Sequence, residues 1–345
     1  MTRRLAWAAA AATLALVTLG GVVRITGAGL GCGDDWPLCH GRLLPPLEIP
    51  TLVEYGHRLA ASAVSLLVLA VLANVWMRRQ TGARVRRAAT LAAGLIAVQV
   101  LLGAVTVWLR LPAASVVLHF TTAMILLAVL VTLALWAGEP VTAPGGSPPG
   151  ADQVRAAGPG AISLVRAAAT LGFATLVLGG LVANLDAGPA CQGFPLCNGR
   201  LAPAPELPVV VHWTHRLLAF ALVGLLAAVY AAVRLGKPGG RFAASARVRR
   251  IAGLAFSLGL VQVGVAAAMV LRFMPPPLRA LHLTVGALLW AALVALVHAS
   301  TSRVPRPGLP RPAPAAEAEG GAPAGLLPRA DREPRRRTRR ADARA

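Results

Sequence analysis

Charged residues are scarce in this chain of 345 residues. Only 14% are Asp, Glu, Lys or Arg, and only 13 residues are acidic. A soluble domain needs a polar surface, so this composition excludes an ordinary soluble protein. In place of charge the chain is 56% hydrophobic, and its apolar residues recur in runs of about 20, the length that spans a bilayer. The composition predicts an all-α membrane protein that crosses the lipid bilayer several times.

The positive charge is large but confined to certain segments. The formal net charge is +21, and the basic residues lie between the apolar runs and in the last 43 residues, which contain eleven Arg. A basic segment beside a membrane contacts anionic lipid more often than DNA, so we expect no nucleic-acid partner. We expect 300–345 to be a disordered cytoplasmic tail, and a role limited to setting topology suits it equally well.

The N-terminus lacks an obvious cleavage site for a signal peptidase. Residues 1–4 include two Arg, and the apolar run that follows extends to about residue 23, which is too long for a signal-peptide core. Gly20-Gly21 leads on without a small-x-small motif. We therefore expect this run to be retained as the first transmembrane span.

Eight apolar segments are long enough to cross the membrane. The connections 77–87 and 234–250 are rich in Arg, which marks cytoplasmic loops. Both termini are then predicted to be cytoplasmic, with loops 24–51 and 184–207 on the outer face of the cell membrane. The predicted spans are 5–23, 52–76, 88–109, 114–137, 162–183, 208–233, 250–271 and 279–299.

The chain repeats itself on either side of a linker rich in Pro and Gly, 138–161. The segment Trp-Pro-Leu-Cys at 36–39 corresponds to Phe-Pro-Leu-Cys at 194–197. Four spans per half give both halves the same orientation. We therefore predict two four-helix bundles, 1–137 and 162–299, related by a pseudo-two-fold axis along the membrane normal.

Four of the seven histidines occupy matched positions in the two halves. Each follows a proline that starts its predicted helix, so all four lie about 8–10 Å along a helix from the outer surface. Facing pairs of His at equal depth suit axial ligation of haem iron, whereas a closed zinc site needs four ligands. A hydrogen bond between helices is the alternative for any single His. The pairs are His57 with His119 and His215 with His282, and His40 and His298 are expected to be structural.

The two halves differ three residues before the first histidine of each pair, where Glu54 corresponds to His212. Residues at i and i+3 share a helix face, so Glu54 should point with His57. Such a carboxylate could transfer protons or stabilise positive charge, or it could simply pair with a cation such as Arg58. Arg58 and Arg216 are candidates for contacts with haem propionates, and snorkelling to lipid headgroups is the alternative.

All four cysteines lie in the two predicted outer loops, where the compartment is oxidising. One disulfide within each loop is therefore favoured, Cys32 with Cys39 and Cys191 with Cys197. A redox-active pair in the first loop is a sharper alternative. Metal binding by Cys32, Cys39 and His40 is a third.

Taken together, these features resemble the haem A synthase family, of the bacterial type with cysteine pairs in the outer loops. The resemblance covers about 5–298 and leaves the Arg-rich tail outside it. It rests on the loop motif Gly31-Cys32-Gly33-Asp34-Asp35-Trp36-Pro37-Leu38-Cys39, on Glu54-x-x-His57-Arg58 and His212-x-x-His215-Arg216, and on His119 and His282.

The resemblance implies oxidation of the C8 methyl of haem O to the formyl of haem A, for cytochrome oxidase assembly. It implies that the second-half pair, His215 and His282, ligates a haem b cofactor. The first-half pair, His57 and His119, would hold the substrate haem, with Glu54 as the catalytically important carboxylate. It also implies a disulfide with a functional role in the first loop and a bridge in the second.

The implied partners are haem O, an electron donor that the sequence does not identify, and, by function, the prenyltransferase that makes haem O. A homo-oligomer is compatible with the sequence. Two rivals from other classes remain: a non-enzymatic di-haem electron carrier of the b type, and a haem-handling protein that leaves the haem unaltered.

Overall fold

The computed structural model describes residues 1–43, 45–78, 81–139 and 153–305. Most of the predicted linker and nearly all of the predicted tail lie outside these residues. Within them, eight α-helices are long and apolar enough to cross a membrane, which confirms the predicted all-α membrane class. They are α1 (Thr2–Ile25), α2 (Ile49–Met77), α3 (Ala83–Trp108), α4 (Ala113–Trp136), α5 (Pro159–Asn184), α6 (Leu207–Leu235), α7 (Ala246–Leu271) and α8 (Pro276–Thr301).

Seven of the eight helices are longer than the apolar runs that predicted them, and α4 has the same length as its run. The third span was expected from residue 88, but α3 begins at Ala83, and α7 begins at Ala246 rather than 250. Hydropathy marks the edge of the hydrocarbon, whereas a helix continues into the interface wherever its residues favour it. Arg is a strong helix former, so the basic residues between the predicted spans extend both helices.

Matching backbone details recur in the two halves. The tight turn between α3 and α4 places Arg110 and Leu111 at positive φ, 59° and 63°. The turn between α7 and α8 does the same with Phe273 and Met274, at 58° and 63°. Such conformations are rare for residues other than Gly, so their recurrence extends the repeat from sequence to backbone geometry.

Each half packs its helices in the same order. In the first half α1 packs against α2 and α4, and α3 packs against α2 and α4. In the second half α5 and α7 make the same contacts with α6 and α8. The halves meet through α1, α4, α5 and α8. This arrangement agrees with two four-helix bundles, while the pseudo-two-fold axis itself stays a prediction.

A few hydrogen bonds cross the contact between the halves. Trp290 Nε1 donates to the carbonyl oxygen of Met124 at 2.9 Å. The hydroxyls of Thr18 and Thr284 lie 3.1 Å apart. Hydrogen bonds between membrane helices contribute about 1 kcal/mol each, so packing of the apolar faces supplies most of the stability of this contact.

Two short strands, which the sequence did not predict, lie on the side of the membrane that carries the Arg-rich loops. β1 (Gln153–Arg155) pairs antiparallel with β2 (Arg303–Pro305). The chain after β1 also bonds to the α6–α7 connection, because Ser245 N donates to the Ala156 carbonyl at 2.8 Å. Strands of three residues are too short to leave a periodic pattern.

Candidate functional site

The loop between α1 and α2 lies over the start of α2 and is closed by a disulfide between Cys32 and Cys39. Thr51 Oγ1 donates to the Gly31 carbonyl at 2.7 Å, and His40 Nε2 lies 2.9 Å from the same oxygen. His40 is therefore a structural contact of the loop, as expected. With both sulfurs in the disulfide, the three-residue metal site considered for Cys32, Cys39 and His40 is not formed.

Glu54 is buried at the junction of this loop and α2, with 3% of its surface exposed. Its Oε2 accepts the backbone N–H of Cys32 at 2.8 Å, and its Oε1 accepts Arg58 Nε at 3.1 Å. Arg58 Nη1 in turn donates to the carbonyls of Asp35 and Leu38, both at 2.8 Å. The carboxylate is thus held in one position by charge-assisted hydrogen bonds that also fix the loop.

The second half builds the same junction without a carboxylate. Arg216 Nη1 donates to the carbonyls of Gly193 and Leu196, at 2.8 and 2.9 Å. Its Nε lies 3.3 Å from His212 Nε2, and His212 Nδ1 lies 3.1 Å from the Ala187 carbonyl. A carbonyl can only accept, so Nδ1 carries the proton and Nε2 accepts from the guanidinium. An imidazole therefore occupies the place that an acid occupies in the first half.

His215 and His282 face each other across the second half. Their ring centroids are 6.5 Å apart and the ring planes cross at 78°. A metal bound between two imidazole nitrogens at about 2 Å each separates the ring centres by roughly 6 Å. This pair therefore fits a single metal ion held between the rings, as in a haem with two axial histidines.

The contacts around this pair differ between the two rings: His282 Nε2 lies 3.3 Å from Gln262 Nε2, and its Nδ1 has no partner among the described residues. His215 Nδ1 lies 3.1 Å from the Thr175 carbonyl, to which it must donate, so the lone pair is on Nε2. A hydrogen bond on the ring nitrogen that does not bind the metal fixes the tautomer and orientation of a metal-ligating histidine. Gly179 lies against the same ring, and a Cβ there would come within 2.8 Å of His215 Cε1. Because Gly179 has no side chain, the imidazole of His215 can pack against this helix.

His57 and His119 form the corresponding pair in the first half, and they are close enough for a charge on His119 to act on His57. The His57 ring lies against Gly20, as the His215 ring lies against Gly179. Nδ1 of His57 and of His119 is buried, and neither atom has a hydrogen-bond partner among the described residues. Buried polar atoms are normally satisfied, so these nitrogens mark a polar site within an apolar bundle. His57 lacks the carbonyl contact that orients His215.

The structure brings most of the predicted site residues together, in one pair of histidines per half. The Arg58 and Arg216 guanidinia bond to the loops, and their contacts with propionates stay a prediction. His298 lies apart, near the other end of α8, with its Nε2 3.2 Å from Glu139 Oε1. The sequence could not predict the contact with the Thr175 carbonyl, because every residue type has a backbone carbonyl.

The fold and the site define a class: a polytopic membrane protein with eight described membrane-length helices, in which two repeated halves each hold a half-buried histidine pair beside a disulfide-closed loop. Within this class, the chain belongs to the COX15-CtaA family of cytochrome oxidase assembly proteins, whose sequence profile matches residues 3–294. The family expectation from the sequence is thereby confirmed.

Several proteins named heme A synthase have similar sequences. The heme A synthase of Symbiobacterium thermophilum is 32% identical over 298 residues, which are 86% of this chain and 94% of the relative. The heme A synthase of Halalkalibacterium halodurans is 35% identical over 211 residues, 60% of this chain and 67% of the relative. That of Alkalihalophilus pseudofirmus is 32% identical over 208 residues, 59% and 67% of the two chains.

Proposed function

We propose that this protein is a haem A synthase, an oxidoreductase that converts the C8 methyl of haem O to the formyl of haem A for cytochrome oxidase assembly. The relatives named heme A synthase, one of them matched over 94% of its length, support this activity. The single structural observation that favours it over a passive carrier is the asymmetry between the halves. A buried carboxylate, Glu54, lies at the junction of loop and helix in one half, and a neutral imidazole, His212, lies at the same junction in the other.

The second half is proposed to hold haem b between His215 and His282. The 6.5 Å between the ring centroids supports this assignment. So does the bond from His215 Nδ1 to the Thr175 carbonyl, which leaves Nε2 free to ligate. A bound haem b would supply one-electron transfer at this position. The protein's part is to fix both rings and to exclude water from the iron.

The first half is proposed to hold the substrate, haem O, between His57 and His119. Nδ1 of His57 has no hydrogen-bond partner among the described residues, whereas Nδ1 of His215 contacts the Thr175 carbonyl, and a less firmly oriented ligand suits a molecule that must enter and leave. Glu54 lies one turn before His57 on α2. Its fixed carboxylate is assigned to proton transfer, or to stabilising positive charge, during oxidation of the methyl group.

The disulfide-closed loops are proposed to face the cell exterior and the Arg-rich loops the cytoplasm. The distribution of Arg supports this orientation, and so do the disulfides, which persist in oxidising compartments. The protein would then act in the cell membrane with both termini inside, the first four-helix half holding the substrate and the second the cofactor. An unidentified electron donor and the prenyltransferase that supplies haem O are the proposed partners.

Total haem extracted from cells that make haem O, with and without this protein, tests the proposal. Chromatography of the extract should show hydroxylated haem O and haem A only when the protein is present. Two fixed b-type haems with no altered haem O would instead identify an electron carrier. Exchangeable haem with unchanged side groups would identify a haem-handling protein.

A further inference from the structure

A second concave surface lies far from the histidine pairs, on the side of the membrane that carries the Arg-rich loops. It is a lateral groove of about 610 Å³ between the two halves. This volume is within the range of about 300–1,000 Å³ that is typical of sites for small molecules. Its walls come from the first turns of α3, the last turns of α4, and the middle of α5 and α8. We call it the lateral groove; it is lined by Arg84, Arg87, Ala88, Leu91, Ile125, Ala128, Val129, Thr132, Trp136, Phe173 and Trp290.

The lateral groove is apolar along its length. From Ile125 to Trp136 it extends about 16 Å along α4, roughly half the thickness of the hydrocarbon core. Its floor contains Phe173 and Trp290, whose rings are 5.1 Å apart. The indole N–H of Trp290 is already bonded to the Met124 carbonyl, so the ring offers only its apolar surface to the groove. The groove therefore matches a hydrocarbon chain that occupies one leaflet.

Two cations stand at the end of this apolar groove. Arg84 and Arg87 are three residues apart on the first turn of α3, so they share a face, and both are exposed. Within the part of the chain that the structure describes, no acidic side chain forms an ion pair with either of them. Trp136, at the end of α4, lines the same end, which is the level where Trp residues meet lipid headgroups.

We propose that the lateral groove binds one anionic phospholipid from the leaflet on the side of the Arg-rich loops. One acyl chain would lie along Ile125 and Ala128 as far as Phe173, and the phosphate would lie between Arg84 and Arg87. A guanidinium fork matches phosphate geometry and charge, and basic pockets between membrane helices favour such headgroups. A lipid in this position would touch α3 and α4 of one half and α5 and α8 of the other, bridging the two halves.

The second half provides a matched control. Arg247 and Arg250 occupy the same positions on the first turn of α7 that Arg84 and Arg87 occupy on α3, and they are also exposed. They do not line the lateral groove. Replacing either pair removes the same charge from the same side of the membrane. Only the first replacement should affect a lipid in the groove.

The test uses the full chain in lipid nanodiscs, with bromine on the acyl chains of either phosphatidylglycerol or phosphatidylcholine. Bromine quenches nearby tryptophans, and the difference between the protein and its Trp136→Phe/Trp290→Phe variant isolates the signal from the groove. We expect brominated phosphatidylglycerol to quench this signal at a roughly tenfold lower mole fraction than phosphatidylcholine. Arg84→Gln/Arg87→Gln should abolish the preference, and Arg247→Gln/Arg250→Gln should retain it.

A variant without a charge change keeps the test independent of surface potential. Ala128→Phe fills the middle of the groove and should reduce quenching by both lipids. The thermal unfolding midpoint of each variant shows that the helices remain packed. Equal quenching by the two lipids, or equal loss of preference in both arginine pairs, would overturn the proposal. If neither lipid quenches the signal, a polypeptide and not a lipid covers the groove, and the proposal is overturned.

Discussion

The two halves share almost every structural device, yet they differ in one buried side chain. Both close a loop with a disulfide, bond an Arg to that loop, and set a histidine ring against a glycine of the preceding helix. In the first half the Arg is paired with Glu54, and Cys32 N–H bonds to the same carboxylate. In the second half the partner is His212, which bonds to the Ala187 carbonyl. Under the proposed assignment, the scaffold is duplicated while its chemistry is confined to one copy.

The second difference concerns the first histidine of each pair, His57 and His215, because Nδ1 of His119 and Nδ1 of His282 both lack a hydrogen-bond partner among the described residues. His215 is oriented by the Thr175 carbonyl at 3.1 Å, whereas Nδ1 of His57 has no hydrogen-bond partner in the described part of the chain. A permanent cofactor benefits from a fixed imidazole, and a substrate that is exchanged benefits from a site that adapts. Both differences point the same way. The first half suits turnover, and the second suits retention.

Loss of the carboxylate should produce the largest effect. Glu54→Gln preserves the size of the side chain but removes its charge, and we expect conversion of haem O to fall at least about 100-fold. Glu54→Ala should in addition lower stability, because it leaves the mostly buried Arg58 unpaired, at a cost of about 3–5 kcal/mol. Chromatography of extracted haem measures the first effect, and thermal unfolding measures the second.

The matched control for this change is His212→Gln in the second half. It should retain conversion within about tenfold, because His212 supports its loop and is not assigned to the reaction. Equal losses in the two variants would mean that both positions are structural. The distinction between the halves would then fail.

Opening the disulfides one at a time should give smaller and unequal effects. Replacing either cysteine pair by serine removes the constraint on a short loop, which costs roughly 2–3 kcal/mol of stability. Only Cys32→Ser/Cys39→Ser should also lower conversion, by about tenfold, because the Cys32 N–H positions Glu54. Activity per folded molecule, compared with Cys191→Ser/Cys197→Ser, separates the two effects. The same activity in both variants would contradict the coupling of the first loop to Glu54.

Adding a methyl beside each histidine should change only the half that contains it. A Cβ at Gly179 would lie 2.8 Å from the His215 ring, and one at Gly20 would lie 3.0 Å from the His57 ring. Gly179→Ala is therefore expected to weaken retention of haem b several-fold, and Gly20→Ala to raise the KM for haem O several-fold. Haem content of the purified protein and steady-state kinetics provide the readouts. A change in haem b caused by Gly20→Ala would be unexpected.

The smallest effect is expected at a salt bridge present in the first half. Arg110 Nη2 lies 2.9 Å from Asp34 Oδ2, and this guanidinium holds the pKa of the exposed Asp34 carboxyl below its usual value. A depressed carboxyl pKa adds stability above the ordinary value of about 4, and the contribution disappears as the pH falls through the folded pKa. Arg110→Ala should raise the pKa of Asp34 toward normal, as followed by NMR, with no measurable change in unfolding at neutral pH. A clear loss of stability would mean that this ion pair fastens the loop.

Much of the membrane architecture could be predicted from the sequence, because the bilayer imposes a length and an apolar composition on every span. The paired histidines could be found for a related reason: polar residues are costly in a membrane, and these recur at equivalent places. Contacts made through the backbone could not be predicted. The Thr175 carbonyl, the Cys32 N–H on Glu54 and the short β1–β2 pair depend on tertiary approach. The role of Gly20 and Gly179 in making room for the histidine rings also depends on tertiary packing.

The identity of the haem retained by single-ligand variants tests the division between the halves most directly. His57→Ala and His215→Ala would be purified from cells that make haem O, and their bound haem would be extracted and separated by chromatography. We expect His57→Ala to retain haem b and to carry neither haem O nor its oxidised products. His215→Ala should lack haem b. Loss of the same haem from both variants, or haem b retained equally by both, would contradict the proposal that one half holds the substrate and the other the cofactor.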